Sequence, residues 1–163
     1  MTKISPCLWF DDDLEEAMSF YTSIFPRSAI RNVMRNTEAS RGETGTVVAA
    51  DFELDGVTFH GINGGTMFTF SEAVSFQVDC ADQGEVDYFW DSLVDGGQES
   101  MCGWLKDRFG LSWQIVPARL YDLLQDPVPA RANAAMSAML EMRRLVVADL
   151  EAAADAAASP ATA

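Results

Sequence analysis

The sequence predicts an α+β fold of two tandem βαβββ modules followed by C-terminal helices, and two internal echoes carry that prediction. Asp13, Glu16, Phe20, Tyr21 and Ile24 recur as Asp82, Glu85, Phe89, Trp90 and Leu93, each pair 69 positions apart. Gly56-Val-Thr-Phe-His-Gly-Ile62 recurs as Gly110-Leu-Ser-Trp-Gln-Ile-Val116 at an offset of 54. The first echo lies on a helical face behind a short apolar run, and the second ends each half. Two copies of one unit, the second shortened by a loop, imply a pseudo-twofold arrangement with a cleft where the halves meet. The expected boundaries are 1–65 and 66–119 for the modules and 120–163 for a helical appendage.

In the first half, Ile4 to Phe10 reads as a mostly buried strand, with Pro6 marking an edge or an irregular entry. Asp11 to Asp13 supply an N-cap and first-turn charge for a helix running to about Phe25. Leu14, Ala17, Met18, Tyr21, Ile24 and Phe25 recur on it at three- and four-residue spacing, and Pro26 stops it. Ala29 to Arg35 alternates weakly as a strand, and Asn36 to Glu43 is a polar loop. Thr46 to Leu54 is a clearer strand, with Val48, Ala50, Phe52 and Leu54 facing one way and Asp51 and Glu53 the other. Asp55-Gly56 signals a hairpin into Val57 to Ile62. Gly64-Gly65 and Phe68 to Phe70 form a connecting loop.

The second half repeats the order. Ala73 to Cys80 is a strand and Asp82 to Asp95 a helix with Val86, Phe89, Trp90 and Leu93 inward. Gly96-Gly97 stops it. Glu99 to Cys102, Trp104 to Arg108 and Leu111 to Val116 are short strands, ended by Pro117. Leu120 to Leu124 then makes a short helix, broken by Pro127 and Pro129. From Ala130 a single long helix is expected, lined on one side by Met136, Met139, Leu140, Val146, Val147 and Leu150. Such a Met-rich stripe serves either a partner subunit or packing within the chain, and a homodimer is the expected assembly. Residues from about Ala152 read as a frayed end.

Of the 163 residues, 48% are hydrophobic, enough for a sizeable core. A formal net charge of −14 argues against nucleic acid and anionic membranes as partners, because both need clustered Lys and Arg. The N-terminal stretch MTKISPCLWFDDD has no secretion-signal pattern, and no run is long enough to span a bilayer. Cys7, Cys80 and Cys102 form neither a disulfide framework nor a zinc pattern, so reduced thiols in the cytoplasm are expected. Cys102, near the expected cleft, is a candidate reactive thiol.

A duplicated βαβββ unit whose end strands build a cupped mixed sheet resembles the vicinal oxygen chelate fold, the glyoxalase/bleomycin resistance-like architecture. Glyoxalase I, extradiol dioxygenases, fosfomycin resistance proteins and bleomycin resistance proteins share it. Ile4-Ser-Pro-Cys-Leu-Trp-Phe-Asp, Glu15-Glu-Ala-Met-Ser-Phe-Tyr, Ile62-Asn-Gly-Gly and Cys102-Gly-Trp-Leu-Lys-Asp-Arg-Phe-Gly-Leu-Ser-Trp-Gln-Ile-Val-Pro117 resemble the PhnB-like branch. Its members often carry the domain label 3-demethylubiquinone-9 3-methyltransferase. The resemblance covers about the whole chain. It implies a small organic molecule bound or transformed in the cup between the modules. Methyl transfer is the least expected chemistry, since Gly64-Gly65 leads into Thr66-Met-Phe-Thr-Phe70 and not into a nucleotide-binding helix.

Metal-dependent relatives of this type converge His, Gln or Glu side chains from the first and last strands of both modules on one divalent ion. The repeat puts the last-strand positions here at His60 and Gln114. Counting back from the helical motif puts the first-strand positions near Pro6 and Ser75, or, one residue along, at Ser5, Cys7, Val74 or Phe76. One imidazole and one amide fall short of the three ligands a catalytic ion needs, so no cofactor is expected. The alternative is a divalent-metal lyase, isomerase or dioxygenase held by His60 and Gln114. Side-chain alternation turns Phe59 and Trp113 into the core and His60 and Gln114 into the cup. The candidate cup-lining residues are His60, Gln114, Ser75, Trp9, Trp104 and Cys102.

Overall fold

The computed structural model describes residues 3–40 and 42–158. The chain divides into two compact units, Met1–Phe70 and Ser71–Ala163. In the first, β1 (Cys7–Phe10) leads to helix α1 (Leu14–Ile24), then β2 (Ala29–Arg35), β3 (Val47–Leu54) and β4 (Val57–Asn63). In the second, β5 (Ser75–Cys80) leads to α2 (Gln83–Val94), then β6 (Gln98–Glu99), β7 (Trp104–Lys106) and β8 (Ser112–Pro117). The appended helices are α3 (Ala118–Leu124), α4 (Pro129–Glu141) and α5 (Val147–Ala158). Each unit contains one four-stranded mixed sheet, ordered β1-β4-β3-β2 and β5-β8-β7-β6. The first and last strands of each βαβββ unit pair in parallel, and the other pairings are antiparallel. The repeat read from sequence is thus a repeat of topology.

One face of each sheet is closed by its helix. Leu14, Ala17, Met18 and Tyr21 of α1 are fully buried, and Tyr21 stacks on Phe52, which stacks on Phe59. Gly61 lets α1 seat closely on β4, because a Cβ there would come within 2.2 Å of Leu14 Cδ1. In the second unit Val86, Trp90 and Leu93 of α2 pack over Leu105, Trp113 and Ile115. Burying each of these side chains contributes about 1.5–3 kcal/mol. Val47 is buried and Val48 only half-buried, the reverse of the alternation expected, because a register shift at Met34/Arg35 turns the start of β3.

The start of α1 also differs from expectation. Asp13 occupies the N-cap but makes no side-chain cap bond. Asn63 at the end of β4 replaces it, its Oδ1 accepting from Leu14 N at 3.0 Å. The same side chain donates to Asp12 O and Val47 O, tying three segments together. Burial pushes the Asp13 carboxyl up from its ordinary value, against a backbone hydrogen bond that lowers it.

The long C-terminal helix expected from Ala130 is instead two helices, α4 and α5, broken between Glu141 and Val147. Three residues from elsewhere in the unit make the break, through four hydrogen bonds. Cys102 N and Gly103 N each donate at 2.7 Å, to Met142 O and Arg143 O. Gln83 accepts Val147 N at 2.8 Å and donates to Leu145 O at 3.1 Å. Leu145 then drops into a cluster with Leu120, Leu123, Ala135, Leu150 and Ala154, with Met139 and Met142 partly buried beside it. Met136 and Leu140, expected on the same stripe, do not join that cluster and are exposed. The end read as frayed from Ala152 continues as helix to Ala158; residues 159–163 of that expectation lie outside the described residues. No helix among the described residues is long and apolar enough to cross a membrane.

Candidate functional site

Each sheet has a second face that no helix of its βαβββ unit covers, and there the polar residues of alternating strands collect. In the first unit a row crosses all four strands. Cys7 on β1 pairs in register with His60 on β4, His60 with Asp51 on β3, and Asp51 with Asn32 on β2. His60 Nδ1 lies 2.5 Å from Asp51 Oδ1, and Asn32 Nδ2 donates to Asp51 Oδ2 at 2.9 Å. A carboxylate only accepts, so Nδ1 carries the proton and Nε2 is left as the acceptor of the neutral ring. Hydrogen bonds from Asn32 first and His60 second hold the Asp51 carboxyl below its ordinary range. The imidazole is 43% exposed, so its free nitrogen is within reach of a solute.

In the second unit Gln114 on β8 holds the equivalent place. Its Nε2 donates to Ser75 Oγ at 2.9 Å. Trp104 on β7 and Gln77 on β5 are its register neighbours on either side. Gln77 Nε2 donates at 2.7 Å to both Asp79 Oδ1 and Tyr121 Oη. Next along lie Ser112 and Lys106, which share a register row. Phe59 and Trp113 are buried on the opposite faces, as alternation predicts.

The first-strand position in register with His60 is Cys7, one of the one-residue slips from Pro6, and that in register with Gln114 is Gln77, two residues past Ser75 and outside the range expected. The cause is local. Residues 11–13 separate β1 from α1, whereas only 81–82 separate β5 from α2, so an offset counted on the helices misses by one on the strands. Pro6 contributes its backbone instead, accepting from His60 N at 2.9 Å. Gln77 was not singled out by sequence; it follows only when the one-residue slip to Cys7 and the one-residue difference in turn length are both counted.

Of the candidate residues, Ser75, Gln114 and Trp104 come together in the second unit, and His60 heads the row in the first. Trp9 is committed to packing. Its Nε1 donates to Gly65 O at 2.8 Å and its ring meets Phe68 edge-on at 4.9 Å. A Cβ on Gly64 would sit 2.2 Å from that ring, and Gly65 takes a φ of +82° that favours glycine. The Ile62-Asn-Gly-Gly string therefore caps a helix and cradles an indole. Cys102 lies in the turn before β7, pinned to Met142 O. A cleft of about 770 Å³ opens beside Asp12, Glu15, Arg35 and Asn63, but neither His60 nor Cys7 lines it, and the ion pair of Arg35 with Glu15 at its edge is exposed.

Among the described residues no group of three His, Cys, Asp or Glu could hold a metal ion. The ligating atoms left over are few: with His60 Nδ1 bonded to Asp51 and Gln114 Nε2 to Ser75, the first unit's row offers His60 Nε2 and the second unit's the Gln114 amide oxygen. Neither unit by itself fits a divalent centre.

The family whose model matches residues 2–116 is described as 3-demethylubiquinone-9 3-methyltransferase. The chain belongs to this family. The PhnB protein from Bacillus cereus is 37% identical, over 72% of this chain and 100% of its own, with a TM-score of 0.67. A protein from Pseudomonas aeruginosa covers 72% of this chain and 98% of its own at 16% identity, with a TM-score of 0.62. The fosfomycin resistance protein FosX from Listeria monocytogenes, solved with Mn(II) and a sulfate ion, is 12% identical over 77% of this chain and 97% of its own, TM-score 0.52. The last two likenesses are of fold. The family model and the Bacillus cereus protein together make this a PhnB-like chain. Comparison with curated proteins gives no match.

Proposed function

We propose that this PhnB-like protein binds a small organic molecule through hydrogen bonds from its polar sheet faces, without chelation to a divalent ion. The observation that carries the reading is the shortage of ligating groups: among the described residues no three His, Cys, Asp or Glu come together, and His60 and Gln114 offer one nitrogen and one amide oxygen where a catalytic ion needs about three ligands. His60 is oriented by Asp51 and Gln114 by Ser75, which leaves His60 Nε2 and the Gln114 amide oxygen to accept hydrogen bonds from a ligand. Polar anchors of this kind, few and pre-oriented, are what small-molecule sites use for specificity. The methyl transfer in the family's description is not adopted. Its nucleotide-binding folds use a doubly wound parallel sheet, whereas each sheet here has a single parallel pair. A reducing, cytoplasmic setting suits the three free cysteines, and a homodimer would cover the exposed Met136 and Leu140.

The test is metal content and ligand response measured together. Protein purified without chelators is assayed for bound divalent metal, wild type beside His60→Ala, and screened by thermal shift against small-molecule and antibiotic panels. The reading expects substoichiometric metal, unchanged by the substitution, and at least one compound whose stabilisation is lost in His60→Ala or Gln114→Ala. Stoichiometric metal that disappears with His60 would replace it with a metal-dependent lyase, isomerase or dioxygenase.

A further inference from the structure

A pocket of about 130 Å³ in the second unit is lined by Glu72, by Gln98, Trp104, Lys106 and Ser112 of the polar sheet face, and by Glu99, whose register partner Leu105 belongs to the helix-covered face. Ser112 is 1% exposed, and its Oγ has no hydrogen-bond partner among the described residues. A buried hydroxyl in that state costs stability unless a group from outside the chain completes it. The acceptors nearby are already engaged. Glu99 accepts from Trp90 Nε1 at 3.3 Å and from Arg143 Nη1 at 3.2 Å. Glu72 Oε1 holds Lys106 Nζ at 2.6 Å.

That last pair is built to exchange. Glu72 is 65% exposed and Lys106 32%, and an ion pair with one arm in solvent contributes little. A competing anion that also reached Ser112 would gain a buried, charge-assisted hydrogen bond that Glu72 does not make. Trp104 supplies a flat apolar wall beside the two donors. We propose that this pocket takes the carboxylate of a small organic acid, with Ser112 Oγ–H and Lys106 Nζ donating to its two oxygens, Trp104 flanking its carbon skeleton, and Glu72 displaced. The inference rests on the small-molecule reading above and names the ligand class for it.

Benzoate and benzamide are close in shape and differ in charge, so they separate carboxylate recognition from apolar binding. Each is titrated into the ¹⁵N-labelled full chain while the Trp104 indole N–H is followed, in wild type and in Ser112→Ala, Lys106→Met and Glu72→Gln. Benzoate should shift the Trp104 resonance saturably, and benzamide should bind at least about tenfold more weakly. Lys106→Met should weaken benzoate by about tenfold or more, and Ser112→Ala several-fold. Glu72→Gln, at an exposed position that leaves folding intact, should tighten it by removing the internal competitor. Equal binding of the two probes, an unmoved Trp104, or a Glu72→Gln variant that binds benzoate no better would overturn the assignment. Benzoate that shifts resonances around His60 while Trp104 stays still would sink this pocket and leave the broader reading standing.

Discussion

Asp107 is a buried carboxylate on which the second unit's last hairpin turns, and removing it gives the sharpest stability prediction. The residue is 3% exposed. Its Oδ1 accepts from Phe109 N at 2.9 Å and Leu111 N at 3.0 Å, and its Oδ2 from Trp113 Nε1 at 2.8 Å. Asp107→Ala would strand two buried donors, Leu111 N and the Trp113 indole, while Phe109 N, only partly buried, reaches water. At about 1–3 kcal/mol per stranded buried donor, the loss is roughly 2–6 kcal/mol. Set against the roughly 5–15 kcal/mol of a typical domain, that is enough to bring the second unit close to unfolding. Asp107→Asn keeps one acceptor for the two backbone N–H groups but turns an amide N–H toward the indole, so it should cost roughly 2–3 kcal/mol, between wild type and alanine. Urea unfolding followed by tryptophan fluorescence reads both, with the slope checked for constancy. An alanine variant less than about 1 kcal/mol below wild type would refute the reasoning, because the hairpin would then satisfy its donors without the carboxylate.

Three further outcomes follow from other contacts. Gly64→Ala sets a methyl 2.2 Å from the Trp9 ring, and should cost about 1–3 kcal/mol and move the Trp9 emission, seen by comparing it with a Trp9→Phe background. Burial raises the Cys80 thiol from 9.0 to about 12, so iodoacetamide at pH 8 should label exposed Cys7 and spare Cys80 until the chain unfolds; peptide mapping checks this. The same shift favours the folded state fully below pH 9, where both states hold the proton, and that contribution is lost as pH rises from 9 toward about 12, so alkaline melting should be steeper in wild type than in Cys80→Ala. Gln83→Ala removes the bonds to Leu145 O and Val147 N, and should cost about 1–2 kcal/mol and speed amide exchange at the start of α5, measured by mass spectrometry.

What could be read in advance was whatever one strand or one helix dictates by itself. Phe59 and Trp113 go inward and His60 and Gln114 outward because alternation is a property of the strand, and the echo survives because both helices bury the same face. What could not be read depends on a partner distant in sequence. Nothing in Glu141-Met-Arg-Arg-Leu145 forbids a helix; Gln83, Cys102 and Gly103 end it by claiming its carbonyls. Asn63 caps α1 from another strand, so the acids before α1 look like caps and are not. The same division sorts the long string from Cys102 to Pro117. Gly103, whose Cβ would strike Ile115 O at 2.8 Å, supports the turn; Asp107 supports the hairpin, and Leu105, Trp113 and Ile115 fill the core. Folding accounts for each of those. It does not account for Lys106, tied to an exposed carboxylate, for Trp104, half in solvent, or for the unpartnered hydroxyl of Ser112 between them. These three share a face with Gln114 because the register of β7 and β8 places them there, and a buried hydroxyl beside a cheaply exchanged lysine is an arrangement that a ligand explains and packing does not.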